Sequence, residues 1–286
     1  MIASKVIDGK LIAAKLREKI AAEVIQLKSD KDIIPGLAVV LVGEHPASKL
    51  YVRNKVNACK QAGINLFENY LSAEISESDL LNKIALLNQT PEVHGILVQL
   101  PLPKHIDATK VINAIDPKKD VDGFTPANLG KLVTQQDCFV PCTPQGCLIL
   151  IKTILKDLQG LKALIVGRSN IVGKPMALLL MQENCTITLA HSYTKNLEDL
   201  CKNADILVVA VGKGKMIPGS WIKPGAVVID VGISYDANGV ISGDVEFEQA
   251  ILRAKAITPM PGGVGPMTIA CLLKNTLKAA TQSFVN

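Results

Sequence analysis

Ala163-Leu164-Ile165-Val166-Gly167-Arg168-Ser169-Asn170-Ile171-Val172-Gly173-Lys174-Pro175 is the stretch on which the fold turns. An apolar run of strand length leads into a glycine turn, and Pro175 suits the first turn of a helix. Glycine there lets the backbone approach a pyrophosphate, and N–H groups left free at the helix start would favour an anion. The same pattern also describes a plain tight connection. Two motif tests narrow the choice. A P-loop needs four residues between its glycines and a hydroxyl after its lysine; here five residues separate Gly167 from Gly173, and Pro175 follows Lys174. The turn also lacks the G-x-G-x-x-G spacing, so it is read as a variant dinucleotide turn.

Working outward, the next strand, Thr186–Leu189, ends on Ala190-His191-Ser192-Tyr193-Thr194-Lys195. An NAD enzyme usually places a carboxylate there, on the ribose hydroxyls, and this chain has none. Arg168 and Ser192 could instead hold a 2′-phosphate by charge and hydrogen bonding, which points to NADP. Helices at Cys147–Leu158, Pro175–Gln182 and Leu197–Lys202 alternate with strands at Ala163–Val166, Thr186–Leu189, Ile206–Val211 and Ala226–Val231, a doubly wound, Rossmann-like parallel sheet. Upstream, the pattern reads helix Leu11–Lys28, strand Leu37–Val42, helix Ser48–Ala62 stopped by Gly63, strand Ile64–Leu71, helix Ser78–Leu87 and strand Gly95–Leu100. That is a second α/β unit. Lys118–Cys147, rich in Pro, Gly, Asp and Thr, is expected to be irregular and to line something. An apolar helix, Thr268–Ala280, is expected to fold back on the first domain. The division expected is therefore 1–140 plus 268–286 as one domain and 141–267 as the other, with the active-site cleft between them.

Composition excludes several classes. The 286 residues are 48% hydrophobic and 20% charged, which is enough for packed cores and rules out disorder. Lys and Arg outnumber Asp and Glu by 31 to 26, yet only four are arginines and aromatics are 3%, so an anionic small molecule fits better than nucleic acid. Lys5 and Asp8 precede any apolar run, so no signal peptide or membrane anchor is expected. Seven cysteines at irregular spacing suggest reduced thiols and a cytoplasmic protein. Cys138, Cys142 and Cys147 have no fourth ligand nearby, so no metal is expected. His45, His94 and His105 share no spacing and read as structural.

Tyr51 and Lys55 share a helix face at i, i+4. That spacing alone describes a surface pair. Gln99 interrupts the apolar run Gly95–Leu100 at the carboxyl end of a strand, where open α/β sheets place ligands, and a buried amide needs a partner such as the Lys55 ammonium. Asp120-Val121-Asp122-Gly123 sets two carboxylates in the irregular segment, a pattern shared with ordinary Asx turns.

Six blocks, in order, carry a family resemblance: Tyr51-x-x-x-Lys55; Val98-Gln99-Leu100-Pro101-Leu102-Pro103; Lys119-Asp120-Val121-Asp122-Gly123; Pro141-Cys142-Thr143-Pro144; Gly167-Arg168-Ser169 with Val172-Gly173-x-Pro175; and Pro261-Gly262-Gly263-Val264-Gly265-Pro266-Met267-Thr268. Together they resemble the bifunctional methylenetetrahydrofolate dehydrogenase/methenyltetrahydrofolate cyclohydrolase family. The resemblance implies NADP-dependent oxidation of 5,10-methylenetetrahydrofolate, then hydrolysis of the methenyl cation to 10-formyltetrahydrofolate, in a homodimer. It implies Lys55 as the proton-handling group, Gln99 orienting it, Tyr51 along the aminobenzoyl ring and Asp122 on the pterin. Val98, Leu100, Pro261, Gly262 and Gly265 would complete the folate pocket, with the loop from Pro261 to Gly265 closing over it. Gly167, Arg168, Ser169, Ser192 and Ile233 would contact NADP. A shikimate-type dehydrogenase, the nearest rival, needs neither Tyr51 before Lys55 nor the Pro261–Thr268 block.

Overall fold

The computed structural model describes residues 5–235 and 239–282. Within them the chain forms two compact units, 14–142 with 269–282, and 5–13 with 143–235 and 239–268.

The first unit takes most of α1 (Gly9–Lys31), then β1 (Gly36–Val42), α2 (Pro46–Gln61), β2 (Asn65–Leu71), α3 (Glu77–Gln89), β3 (Gly95–Val98), α4 (Ala108–Asn113) and α5 (Pro126–Val133). Its strands are parallel in the order β2-β1-β3. Central β1 is buried at every position, as an unbroken apolar run requires when both sheet faces are covered. On one face Ala38, Val40, Ile96 and Val98 pack against Leu80, Ile84 and Leu87, which repeat along α3 at helical spacing. Each valine, leucine or isoleucine among them contributes about 1.5–3 kcal/mol when fully buried.

The second unit contains α6 (Cys142–Ile154) from Thr143 onward, β4 (Lys162–Val166), α7 (Gly173–Gln182), β5 (Thr186–Ala190), α8 (Leu197–Asn203), β6 (Ile206–Val209) and β7 (Val227–Asp230). The antiparallel pair β8 (Ser234–Tyr235) and β9 (Ile241–Ser242), α9 (Phe247–Arg253), β10 (Ala256–Ile257) and the start of α10 (Val264–Gln282) complete it. Five parallel strands run in the order β10-β7-β6-β4-β5. The order reverses at β4, which has β5 on one side and β6 on the other, so the crevice at its carboxyl end is where a doubly wound sheet binds its ligand.

Several expectations need correction. Lys118–Cys147 is not irregular throughout: α5 forms because Thr125 caps it, accepting from the Asn128 N–H, and Pro126 sits in the first turn. The helix expected from Cys147 begins at Cys142, and the one expected from Thr268 begins at Val264. Pro144 and Pro266 look like breakers, yet both occupy first-turn positions where a missing N–H loses no helix bond. Gly265 therefore belongs to a helix and not to a loop. Residues 5–13 also sit with the second unit, not the first: Ile7 N–H donates to Ile257 O at 2.9 Å, Lys10 N–H to Gly262 O at 3.1 Å, and Lys5 Nζ to Ile251 O at 3.2 Å. Among the described residues, no helix is long and apolar enough to cross a membrane, and no group of three or more His, Cys, Asp or Glu side chains could hold a metal ion.

Candidate active site

Lys55 is carried on α2, whose end is fixed by Gly63: at φ +73° it directs the Ile64 N–H back to Cys59 O at 3.0 Å. The lysine is buried, 8% exposed, which demands a partner for its charge. Gln99, the first residue after β3, supplies one: Lys55 Nζ donates to Gln99 Oε1 at 3.0 Å. The other end of the amide is fixed as well, since Gln99 Nε2 donates to Leu100 O at 2.6 Å. The side-chain oxygen therefore faces the ammonium by construction. Tyr51 lies one turn before Lys55 and is half-buried, as are Gln99 and Leu100, while Val98 is buried at the end of β3. His94, by contrast, is structural: its Nδ1 accepts from the Gly36 N–H at 2.9 Å, and burial holds its pKa below the ordinary value.

The two aspartates after β3 have separate tasks. Asp120, fully buried, accepts from Thr125 N–H at 2.8 Å, Phe124 N–H at 3.1 Å and Asn128 Nδ2 at 2.9 Å, and so ties the turn to α5. Asp122 keeps part of its surface exposed. Burial raises its pKa to about 6; the Lys55 charge opposes that shift, Asp120 adds to it, and a hydrogen bond with Cys142 opposes it. Lys55 thus joins Gln99 by a hydrogen bond and Asp122 through charge, all within the first unit. The cluster offers an ammonium, an amide and a carboxyl group pushed up to about 6, a set suited to handling protons.

In the second unit, Gly167 follows β4 at φ +122°, and a Cβ there would lie 2.3 Å from Ala210 O, so no larger residue fits between the loops after β4 and β6. This is a cradle that a dinucleotide backbone can approach. Ser169, however, closes the turn on itself: its Oγ accepts from the N–H groups of Val172 and Gly173 at 3.2 and 3.3 Å, and its carbonyl accepts from Lys174 N–H at 3.0 Å. Those helix-start donors are not free for an anion, as the sequence reading had them. Arg168 is exposed, with its guanidinium 5.8 Å from the centre of the Tyr193 ring in the turn after β5 that also carries exposed Ser192. Arg168 is therefore brought to the turn that carries Ser192. Ile233, half-buried, follows β7, which is separated from β4 by β6. Pro261 and Gly262 follow edge strand β10, after a cis Met260–Pro261 bond.

The sequence reading passed over Asp230 and Asp244, buried carboxylates beside these loops. Asp-Val-Gly and Gly-Asp-Val signal only strand ends; nothing local marks the side chains as internal.

The geometry agrees with the comparisons to known proteins. Residues 7–122 match the family model described as tetrahydrofolate dehydrogenase/cyclohydrolase, catalytic domain, and residues 141–284 match its NAD(P)-binding domain. The chain is 57% identical over 286 residues to "Bifunctional protein FolD" of Paramagnetospirillum magneticum, covering 99% of this chain and 97% of that one. It superposes on the bifunctional FolD methylenetetrahydrofolate dehydrogenase/cyclohydrolase of Campylobacter jejuni with a TM-score of 0.95 at 44% identity, covering 98% and 99% of the two chains. The Trypanosoma brucei methylenetetrahydrofolate dehydrogenase-cyclohydrolase, solved with NADP and an inhibitor, gives 0.94 at 37% identity and 97% coverage of both. With both family domains matched in order along nearly its whole length, the chain belongs to the tetrahydrofolate dehydrogenase/cyclohydrolase family.

Proposed function

We propose that this chain oxidises 5,10-methylenetetrahydrofolate with NADP⁺ and then hydrolyses the 5,10-methenyl product to 10-formyltetrahydrofolate. The observation that carries the reading is the buried Lys55 held on Gln99 at 3.0 Å with Asp122 as its neighbouring carboxylate. The second unit fits the dinucleotide: the Gly167 cradle accepts a close backbone approach, and Arg168 beside the Ser192 turn offers a cation to a 2′-phosphate with no carboxylate opposing it. When bound, NADP⁺ supplies the hydride acceptor.

The side chains of the first unit do the rest. Asp122, ionised above about pH 6, accepts N–H donors of the pterin and sets its depth. Tyr51 packs along the aminobenzoyl ring, and Val98 and Leu100 flank it. In the second unit, Ser169 shapes the turn that carries Arg168, and Ile233, after β7, adds a further contact to the cofactor. Removal of hydride from the methylene carbon needs position above all. Hydrolysis needs more: water adds to the methenyl carbon, a C–N bond of the five-membered ring breaks, and the net proton released passes through Lys55, with Gln99 holding its Nζ in place. We place this chemistry in a cytoplasmic homodimer that acts on small molecules and binds neither nucleic acid nor membrane.

The test is one incubation of the protein with 5,10-methylenetetrahydrofolate and either NADP⁺ or NAD⁺, following reduced nicotinamide and 10-formyl product together. The expected result is both products with NADP⁺ and far less of either with NAD⁺. Dinucleotide binding without turnover would overturn the reading.

A further inference from the structure

Two buried carboxylates in the second unit have no part in the chemistry above, yet they sit behind the crevice at the end of β4. Asp244 is wholly buried and Asp230 is 3% exposed. Asp244 accepts three consecutive backbone N–H groups of the loop after β6: Val211 at 2.7 Å and Gly212 at 3.0 Å on Oδ2, and Lys213 at 2.7 Å on Oδ1. Asp230, the last residue of β7, accepts from Gly232 at 3.2 Å and from Asp244 N–H at 2.9 Å on Oδ1, and from Val245 at 2.9 Å on Oδ2. The two side chains are thus linked in series, with Asp230 holding the backbone of Asp244 and Asp244 holding the loop. Their neighbours leave no slack. A Cβ on Gly232 would lie 1.9 Å from Asp244 Cγ, and one on Gly243 would lie 2.0 Å from Asp230 Oδ2.

The loop so held is one wall of the ligand crevice, because Gly167 on the facing loop packs directly against Ala210 O. The Gly232 end of the same network leads straight into Ile233. Three bonds to one buried carboxylate are unusual for a surface loop: each bond to an ionised acceptor is stronger than a neutral one, and together they offset the cost of taking the carboxylate out of water. Burial and the neighbouring Asp244 push Asp230 up to about 7 against the pull of its N–H donors, so the arrangement is costly to keep ionised.

We propose that Asp244, aligned by Asp230, is a positioning residue for the dinucleotide: it pre-forms the Val211–Lys213 wall of the crevice so that NADP meets an ordered backbone. The inference rests on the assignment of this unit to NADP. It accounts for the glycines at 232 and 243, which a plain strand end would not need.

The test is Asp244→Asn in the full-length protein. An amide can present only one acceptor atom, so at least one of the three N–H groups loses its partner. The KM for NADP⁺ should rise at least about fivefold. The KM for methylenetetrahydrofolate, and hydrolysis of supplied methenyltetrahydrofolate without dinucleotide, should stay at parent values. An unchanged NADP⁺ KM, or an equal loss of both activities, overturns the proposal; absence of NADP⁺ turnover in the parent would count instead against the functional assignment. Hydrogen exchange on the unaltered protein decides the matter even if the variant fails to fold. The Val211, Gly212 and Lys213 amides should be protected without cofactor and gain little when NADP⁺ binds. Fast exchange slowed only by NADP⁺ would mean that the cofactor orders the wall, and would overturn the proposal.

Discussion

Lys55 and Asp122 make opposite demands of one cluster. An ammonium that is 8% exposed needs an anion nearby, while burial and the neighbouring Asp120 make the Asp122 carboxyl resist ionising. Burial pushes the Asp122 carboxyl up from the ordinary 3.8 to about 6. The direction fixes a prediction. Only the ionised form accepts pterin N–H donors without also donating, and with a raised pKa that form is lost as pH falls through about 6. The folate KM of both activities should therefore rise as pH is lowered from 7 to 5, and Asp122→Asn should show a high KM with no such bend. Paired KM measurements across that range check it; parallel profiles for parent and variant would remove Asp122 from the pterin.

Elements matter here for how they hold these residues. The segment bearing Asp122 has no strand or helix of its own. It is held instead by α10, where Asn275 Nδ2 donates to Val121 O at 2.8 Å and to Val140 O at 2.9 Å, and where Lys278 Nζ donates to Cys138 O at 2.9 Å. Asn275→Leu leaves two carbonyls without that donor and should cost about 1–3 kcal/mol, read from urea unfolding, together with a rise in folate KM. Stability and folate KM both at parent values would show that the helix merely covers the segment. The sequence made the sheets legible because β1, β3, β4 and β6 are short apolar runs with no alternative to burial on both faces. It hid α5, since Pro126, Asn128 and Gly130 read as turn residues. What makes that helix is long-range: Asn128 donates to Asp120 and to Pro117 O, and its Oδ1 accepts from Phe139 N–H. The paired site residues were legible for the opposite reason. Tyr51 and Lys55 are local to one helix and Gln99 is a polar residue in an apolar run, whereas Asp230 and Asp244 meet only through tertiary folding.

At the scale of the whole molecule, one chain carries two reactions that ask for different things. Hydride transfer asks for alignment of a carbon with a dinucleotide, the task proposed for the Gly167 cradle and Arg168. Hydrolysis asks for a group that gives and takes protons near a cation, the task proposed for Lys55, buried and held on Gln99. If the roles are divided in this way, a substitution that keeps the polarity of Lys55 while removing its proton should separate the two activities. Lys55→Gln, assayed with methylenetetrahydrofolate and NADP⁺ while methenyl and 10-formyl products are resolved, is the most direct measurement. The account predicts that cyclohydrolase activity falls at least about 10²-fold, the typical effect of losing a general acid–base group, so that methenyltetrahydrofolate accumulates while dehydrogenase activity survives in part. Hydrolysis of methenyltetrahydrofolate by the Gln variant at the parent rate would contradict it.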